Sequence, residues 1–263
     1  MRHLLSPAGE EALVAMIETG ALLAFDFDGT LSPMVMLPEQ ARMPAGVARG
    51  FQMLCEMAPV AVITGRSVED VVPRLGAKPK YVIGNHGAEG VPGADGNLQP
   101  YREICERWRH QISDILRWER FDPGLMIEYK SCSICVHYRL VRNRNETERN
   151  IEAALPLLDP TPLVIGGTHG INLLPPGAPT KRLALESLLR IEGKQAAFYI
   201  GDDETDEIVF RGAPPDWVTV RAEREHGSAA RFFLLHQSEM TECLKLIVRL
   251  LQRPKRRDFS FAR

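Results

Sequence analysis

The sequence predicts an α/β protein: a doubly wound, mostly parallel sheet with a small α+β domain inserted into it. Three observations carry this. Short apolar runs alternate with segments of helical periodicity, as expected when crossover helices join parallel strands. Two of those runs, ALLAF (21–25) and AAFYIG (196–201), stop abruptly at clusters of acidic residues. Between them the texture changes, starting at the turn-rich VPGADGNLQP (91–100).

Residues 7–20 carry apolar positions at helical spacing and close on Gly20, a helix-stopping residue. ALLAF then reads as a buried strand that delivers Asp26-Phe27-Asp28-Gly29-Thr30 to its carboxyl end, where ligands bind in open α/β sheets. The pattern repeats as a helix over 44–57, the strand VAVIT (60–64), a helix over 67–75, and YVIG (81–84) before Asn85-His86-Gly87. In the second half AAFYIG runs into Asp202-Asp203-Glu204-Thr205-Asp206, and WVTV (217–220) is a further strand.

The intervening segment reads differently. ICERWRHQISDILRWE is an amphipathic helix, and MIEYKSCSICVHYRL (126–140) alternates like one strand. A helix over 145–158 and a strand-like stretch over 163–174 follow. The expected division is an α+β domain at 101–172 inserted into a discontinuous core of 1–100 and 173–263, with PPGAP (175–179) as the return hinge. The basic ending QRPKRRDFSFAR reads as a solvated tail.

A chain of 263 residues with 44% hydrophobic content can bury one core plus a smaller domain. Its formal net charge of -2 gives no basic field for nucleic acid or an anionic membrane, so a small-molecule partner is expected. No apolar run approaches the roughly 18 to 20 residues that span a bilayer. The five scattered cysteines, with an N-terminus lacking a signal-peptide layout, point to a reduced cytoplasmic protein, with a monomer favoured.

Asp26 and Asp28 stand two apart, so an extended backbone projects both to one side, and Gly29 permits a sharp turn after them. One carboxylate can attack phosphorus to give an acyl-phosphate; the other can protonate the leaving alkoxide and later deprotonate water. A capped turn is the competing reading. A calcium loop is not, because its glycine and glutamate positions hold Leu31 and Leu37. Asp26, the backbone carbonyl of Asp28, and Asp202 form a donor set suited to Mg²⁺, although an acidic run also suits a helix start. Thr64 and Gly65 close a third strand, where a hydroxyl and helix-start N–H groups can hold phosphate oxygens. Lys181 can pair with both phosphate and Asp26.

Taken in order, Asp26-x-Asp28-Gly-Thr, Thr64-Gly-Arg66, Lys181 and Gly201-Asp-Asp-x-x-Asp206 resemble the four motifs of haloacid-dehalogenase-type phosphatases. Among these, FDFDGTLSP, ITGRS, GNHGAE, EYK with VHYR, PPG before Lys181, and GDDETDE resemble the trehalose-6-phosphate phosphatases, over about Leu22 to Phe210. The resemblance implies a Rossmann-like core with an inserted cap, Asp26 as nucleophile, Asp28 as general acid/base, and Mg²⁺ held by Asp202 with Asp206 behind it. It also implies that Thr64 and Lys181 hold the phosphoryl group, and that Glu128, Lys130, His137 and Arg139 choose the sugar. Gly65, Arg66, Asn85 and His86 are counted with the substrate-binding set.

On one continuous strand, Glu128 and Lys130 would face opposite to Ser133, His137 and Arg139, so a bulge or bend is needed to bring them together. The chain departs from the family pattern at Asn172, where a sugar-binding glutamate is usual, by one extra residue before Lys181, and by Arg182 in place of glycine. Asparagine offers one acceptor group and one donor group, so glucosylglycerol phosphate and sucrose 6-phosphate stand as alternative substrates. Cys132 and Cys135 form a CxxC whose members face opposite ways in an extended segment, and are not read as a metal pair. Trp108 and Trp118 read as packing residues.

Overall fold

The computed structural model describes residues 1–35, 37–93, 97–118, 121–167 and 170–253. The chain begins with β1 (Arg2–His3) and α1 (Pro7–Glu18), a helix opened by Ser6, whose hydroxyl accepts the Gly9 N–H, and followed by Gly20 at φ 72. Then come β2 (Leu22–Phe25), α2 (Ala45–Met57), β3 (Val60–Ile63), α3 (Val68–Leu75) and β4 (Tyr81–Ile83). The inserted segment supplies α4 (Gln99–Trp118), β5 (Met126–Tyr129), β6 (Ile134–His137), α5 (Arg144–Ala154), β7 (Leu163–Gly167) and β8 (Gly170–Leu174). The chain returns through α6 (Lys181–Glu192), β9 (Ala197–Gly201), α7 (Glu204–Gly212), β10 (Val218–Arg221), β11 (Phe232–Phe233) and α8 (Met240–Leu251).

The large sheet has seven strands in the order β1-β11-β10-β9-β2-β3-β4, every pairing parallel. Strand parity divides its two faces. Leu23, Phe25, Val60, Val62, Phe198 and Ile200 join α1, α2 and α8 in one core, while Leu22, Ala24, Ala61, Ile63, Ala197 and Tyr199 meet α6 and α7 in another. Both faces are buried, so these strands read as continuous apolar runs. Because the strands are parallel, their carboxyl ends share one edge, and Asp26, Thr64, Asn85 and Asp202 all follow strand ends there.

The second sheet is antiparallel, in the order β5-β6-β8-β7. Its segments run from Gln99 to Leu174, so the anticipated bounds of 101 and 172 fall inside α4 and β8. Two expectations are corrected here. Residues 126–140 form a hairpin of two strands, closed by the Lys130 N–H donating to the Ser133 carbonyl, and 163–174 is likewise two paired strands. Ile134, Val136 and Leu173 point to one side, against Trp108 and Ile112 of α4 and Ile151 of α5. Trp108 is fully buried and its indole N–H donates to the Pro160 carbonyl at 2.8 Å, in keeping with a packing role. The Trp118 side chain and the tail over 254–263 lie outside the described residues.

β1, β11 and α8 are additional to the elements read from the sequence. Two-residue strands carry no periodicity to read. α8 covers α1 and α2, with Met240, Cys243, Leu244 and Ile247 fully buried.

Candidate active site

Asp26 follows β2 and is 4% exposed. Its N–H donates to the Ile200 carbonyl at 2.9 Å, which ties the end of β2 to β9. The chain then turns at Gly29, whose φ is 73 and where an added Cβ would lie 2.0 Å from Asp202 Oδ2. Only glycine allows this loop to pass so close to the second acidic cluster. Thr30 donates its hydroxyl to Asp202 Oδ1 at 3.4 Å, a further link between the two strand ends.

Lys181 is the first residue of α6, after the N-cap Thr180. A cation there opposes the helix dipole. The position holds because Lys181 Nζ lies 3.1 Å from Asp26 Oδ1 and 2.8 Å from Asp206 Oδ1. Asp206 is fully buried on α7 and all its acceptor positions are used. Oδ1 takes Lys181 and the Tyr199 hydroxyl at 2.6 Å; Oδ2 takes the N–H groups of Asp202 and Asp203, both at 3.0 Å. Asp206 therefore stands behind the cluster and fixes both the lysine and the turn that presents Asp202.

Burial pushes Asp26 up to about 7, with Lys181 acting against the rise and Asp206 and Asp28 adding to it. Burial also carries Asp202 well above the usual carboxylate range, followed by the charge of Asp26. For Lys181, burial lowers the value, but Asp206 and Asp26 outweigh it and hold the ammonium charged. Carboxylate oxygens of Asp26, Asp202 and Asp206 lie within 4.8 Å of one another. A hard divalent cation bound to Asp26 and Asp202 would favour ionisation of both, and an all-oxygen donor set suits such an ion.

Asp28 meets Arg66 in a two-point ion pair, with Nε to Oδ2 at 2.6 Å and Nη2 to Oδ1 at 2.7 Å. The other Arg66 donors reach Asp70 Oδ2 at 2.6 Å and the Pro38 carbonyl at 3.0 Å. The guanidinium is thus occupied by the protein itself. Thr64 is fully buried at the end of β3, its hydroxyl oxygen accepting the Arg66 N–H at 3.2 Å. An added Cβ on Gly65 would lie 2.5 Å from the His86 ring, so these two residues pack directly.

Asn85 and His86 adopt positive φ angles of 48 and 56, a conformation uncommon outside glycine. Asn85 donates to Glu89 Oε2 at 2.8 Å and, across to the smaller domain, to Ser131 Oγ at 3.1 Å. His86 is buried, and neither ring nitrogen has a hydrogen-bond partner among the described residues. Burial, then Lys130 and Lys181, lowers its pKa well below the ordinary histidine value, so the ring is neutral. A buried neutral imidazole with free polar atoms is suited to a ligand oxygen.

The hairpin resolves the strand-parity conflict. Glu128 lies opposite Cys135, and Cys135 opposite Asn172, so these side chains and His137 share one face. His137 Nε2 is 2.9 Å from Glu128 Oε2, and Lys130 Nζ is 3.8 Å from the same oxygen. Hydrogen bonds with Cys135 and then Glu128 raise His137 to about 9. Arg139 is exposed in the turn after β6. Arg182 pairs outward with Glu186 at 2.7 Å, so its departure from glycine does not reach the site. Tyr199, Asp70 and Ser131 join the site without having been singled out in the sequence, the hydroxyl of Tyr199 inside a buried strand being a signal available there, and Thr30 enters it from the last position of the first motif.

A parallel sheet with acids closing neighbouring strands, a buried lysine between them and an inserted antiparallel cap defines the haloacid-dehalogenase class of phosphatases. Residues 24–238 match the trehalose-phosphatase family, and the chain belongs to it. It is 29% identical over 248 residues to the trehalose-phosphate phosphatase of Mycobacterium leprae, covering 84% of this chain and 56% of that one. Identity to trehalose-phosphate phosphatase B of Arabidopsis thaliana is 28% over 210 residues, covering 72% and 55%. The solved structure of a trehalose-6-phosphate phosphatase related protein superposes with a TM-score of 0.70 at 26% identity, covering 88% of this chain and 98% of that one. The chain spans about half the length of the curated relatives it matches.

Proposed function

We propose that this chain is a Mg²⁺-dependent phosphatase that hydrolyses trehalose 6-phosphate to trehalose and phosphate through an aspartyl-phosphate on Asp26. The observation that carries the reading is the Lys181 ammonium held between Asp26 and Asp206 beside Asp202, a charged cradle at the shared edge of β2 and β9.

In the first step an Asp26 carboxylate oxygen attacks phosphorus, and the sugar alkoxide leaves with a proton from Asp28. In the second, Asp28 takes a proton from water as that water attacks the phosphoryl group, which releases phosphate and restores Asp26. Thr64 and Lys181 would hold the phosphoryl oxygens; Arg66 pairs with both Asp28 oxygens, so one of these bonds opens when Asp28 carries the proton to the leaving group. Bound to Asp26, the Asp28 carbonyl and Asp202, Mg²⁺ would supply charge neutralisation between carboxylate and phosphate dianion.

Glu128, Lys130, His137 and Asn172 would receive the sugar hydroxyls, with Asn85 and His86 below them; closing this face over the substrate would exclude bulk water. Asn172 in that row keeps glucosylglycerol phosphate and sucrose 6-phosphate as the second reading, with chemistry unchanged. All five cysteines are free, which supports a reducing cytoplasmic setting. No described helix is long and apolar enough to cross a membrane.

The test is phosphate release, with Mg²⁺ and with EDTA, from trehalose 6-phosphate, sucrose 6-phosphate, glucosylglycerol phosphate and glucose 6-phosphate. Preference for the first supports the full proposal. Preference for another member reassigns the substrate, and release from none overturns it.

A further inference from the structure

The cap hairpin brings three different metal-binding groups together, away from the carboxylates of the parallel sheet. Glu128 on β5, and Cys135 and His137 on β6, have ligand atoms within 4.8 Å of one another. Cys135 Sγ lies 3.8 Å from His137 Nδ1. A tetrahedral zinc ion with Zn–S of about 2.3 Å and Zn–N of about 2.1 Å has an S···N edge of about 3.6 Å, so this pair already stands near ligating separation. Glu128 bonds the other ring nitrogen, Nε2, at 2.9 Å, so an ion on Cys135 and Nδ1 gains Glu128 as its third ligand when that carboxylate swings off Nε2. Its side chain is 36% exposed and His137 42%, which leaves an entry path and an outer position for water.

We propose that Glu128, Cys135 and His137 form a second metal site, selective for Zn²⁺ and similar thiophilic divalent ions over Mg²⁺. The selectivity follows from the donors. A thiolate and an imidazole favour zinc or cobalt, whereas Mg²⁺ seeks oxygen ligands in near-octahedral geometry. Binding is proton-balanced: Cys135 loses its thiol proton, His137 enters as neutral imidazole, and both protons pass to solvent. Cys132 takes no part, since its place is in the hairpin turn and not on the face that Glu128 and His137 share.

The ion takes Glu128 and His137 away from any other ligand. On the sugar-binding reading above, on which this consequence alone rests, Zn²⁺ inhibits competitively with the sugar phosphate and is not displaced by excess Mg²⁺.

Co²⁺ is the probe for the site. Metal-free protein is titrated with Co²⁺ in saturating Mg²⁺, and the near-ultraviolet thiolate-to-cobalt charge-transfer band is followed. One equivalent of band is expected in the wild type and in Cys132→Ser, and none in Cys135→Ser. Glu128→Gln, at a partly exposed position, should keep the band but need at least about tenfold more Co²⁺, a loss of about 1.4 kcal/mol. The proposal is overturned by no band in the wild type, by a band that survives Cys135→Ser or vanishes in Cys132→Ser, or by unchanged affinity in Glu128→Gln. These readings need no turnover, so an inactive protein that binds Co²⁺ at Cys135 would contradict the phosphatase proposal and leave this one standing.

Discussion

Arg66 grips Asp28 through two parallel hydrogen bonds, at 2.6 and 2.7 Å, while its remaining donors reach Asp70 and the Pro38 carbonyl. The residue expected to touch substrate has its guanidinium engaged by protein acceptors, and on the proposed mechanism it positions Asp28 for proton transfer. Arg66→Gln should therefore lower kcat by roughly 10- to 100-fold with little change in KM, since acid–base catalysis contributes about 10²–10⁴-fold and an unaimed Asp28 retains part of it. Steady-state kinetics separate the cases: a rise in KM at constant kcat would return Arg66 to substrate binding.

Asp206 touches no open space, yet four groups converge on it. Asp206→Ala leaves the Lys181 ammonium and the Tyr199 hydroxyl short of a partner in a buried site. Breaking such a pair costs about 3–5 kcal/mol, measurable by urea unfolding. A loss below 1 kcal/mol would mean that this hub adds little to the fold.

The folded chain should bind Mg²⁺ where the unfolded chain does not. At a hundred times Kd this adds about 2.7 kcal/mol of stability, read as a rise in Tm that EDTA reverses. Asp202→Asn should show a much smaller rise, and an undiminished one would remove Asp202 from the donor set.

A pH effect follows from Asp70. Burial works to raise its carboxyl, but hydrogen bonds from Arg74 and then Arg66 outweigh it, so the folded value lies below the ordinary 3.8. Its contribution is then fully present above pH 3.8 and is lost as pH falls through the folded value. The side chain is 39% exposed, so solvent screening limits the effect to about 0.5–1 kcal/mol. Asp70→Asn should lower Tm at pH 7, and the gap from wild type should shrink on approach to pH 3; a gap that widens would reverse the sign.

Much of this was legible in the chain. The buried strands of the parallel sheet are short apolar runs, and the acids that follow them announce both the edge and its chemistry. The hairpins were not, because EYKSCSICVH alternates through its turn as if it were one strand, and only pairing reveals that Glu128 faces Cys135. The missed helix α8 carries a readable stripe at Met240, Cys243, Leu244 and Ile247. Arg66 shows the deeper limit: its motif marks it as part of the site and Asp70 lies only four residues on, whereas its pairing with Asp28 depends on the loop after β2 reaching it from another part of the chain.

The most direct test uses Asp28→Asn, which keeps the nucleophile but lacks the base for the second step. Given p-nitrophenyl phosphate, whose leaving group needs no proton, this variant should accumulate close to one equivalent of acid-stable, hydroxylamine-labile phosphate on the protein. Adding Asp26→Asn should abolish that label while leaving the fold intact; equal labelling in the double variant would show that the covalent intermediate, if any, forms elsewhere than on Asp26.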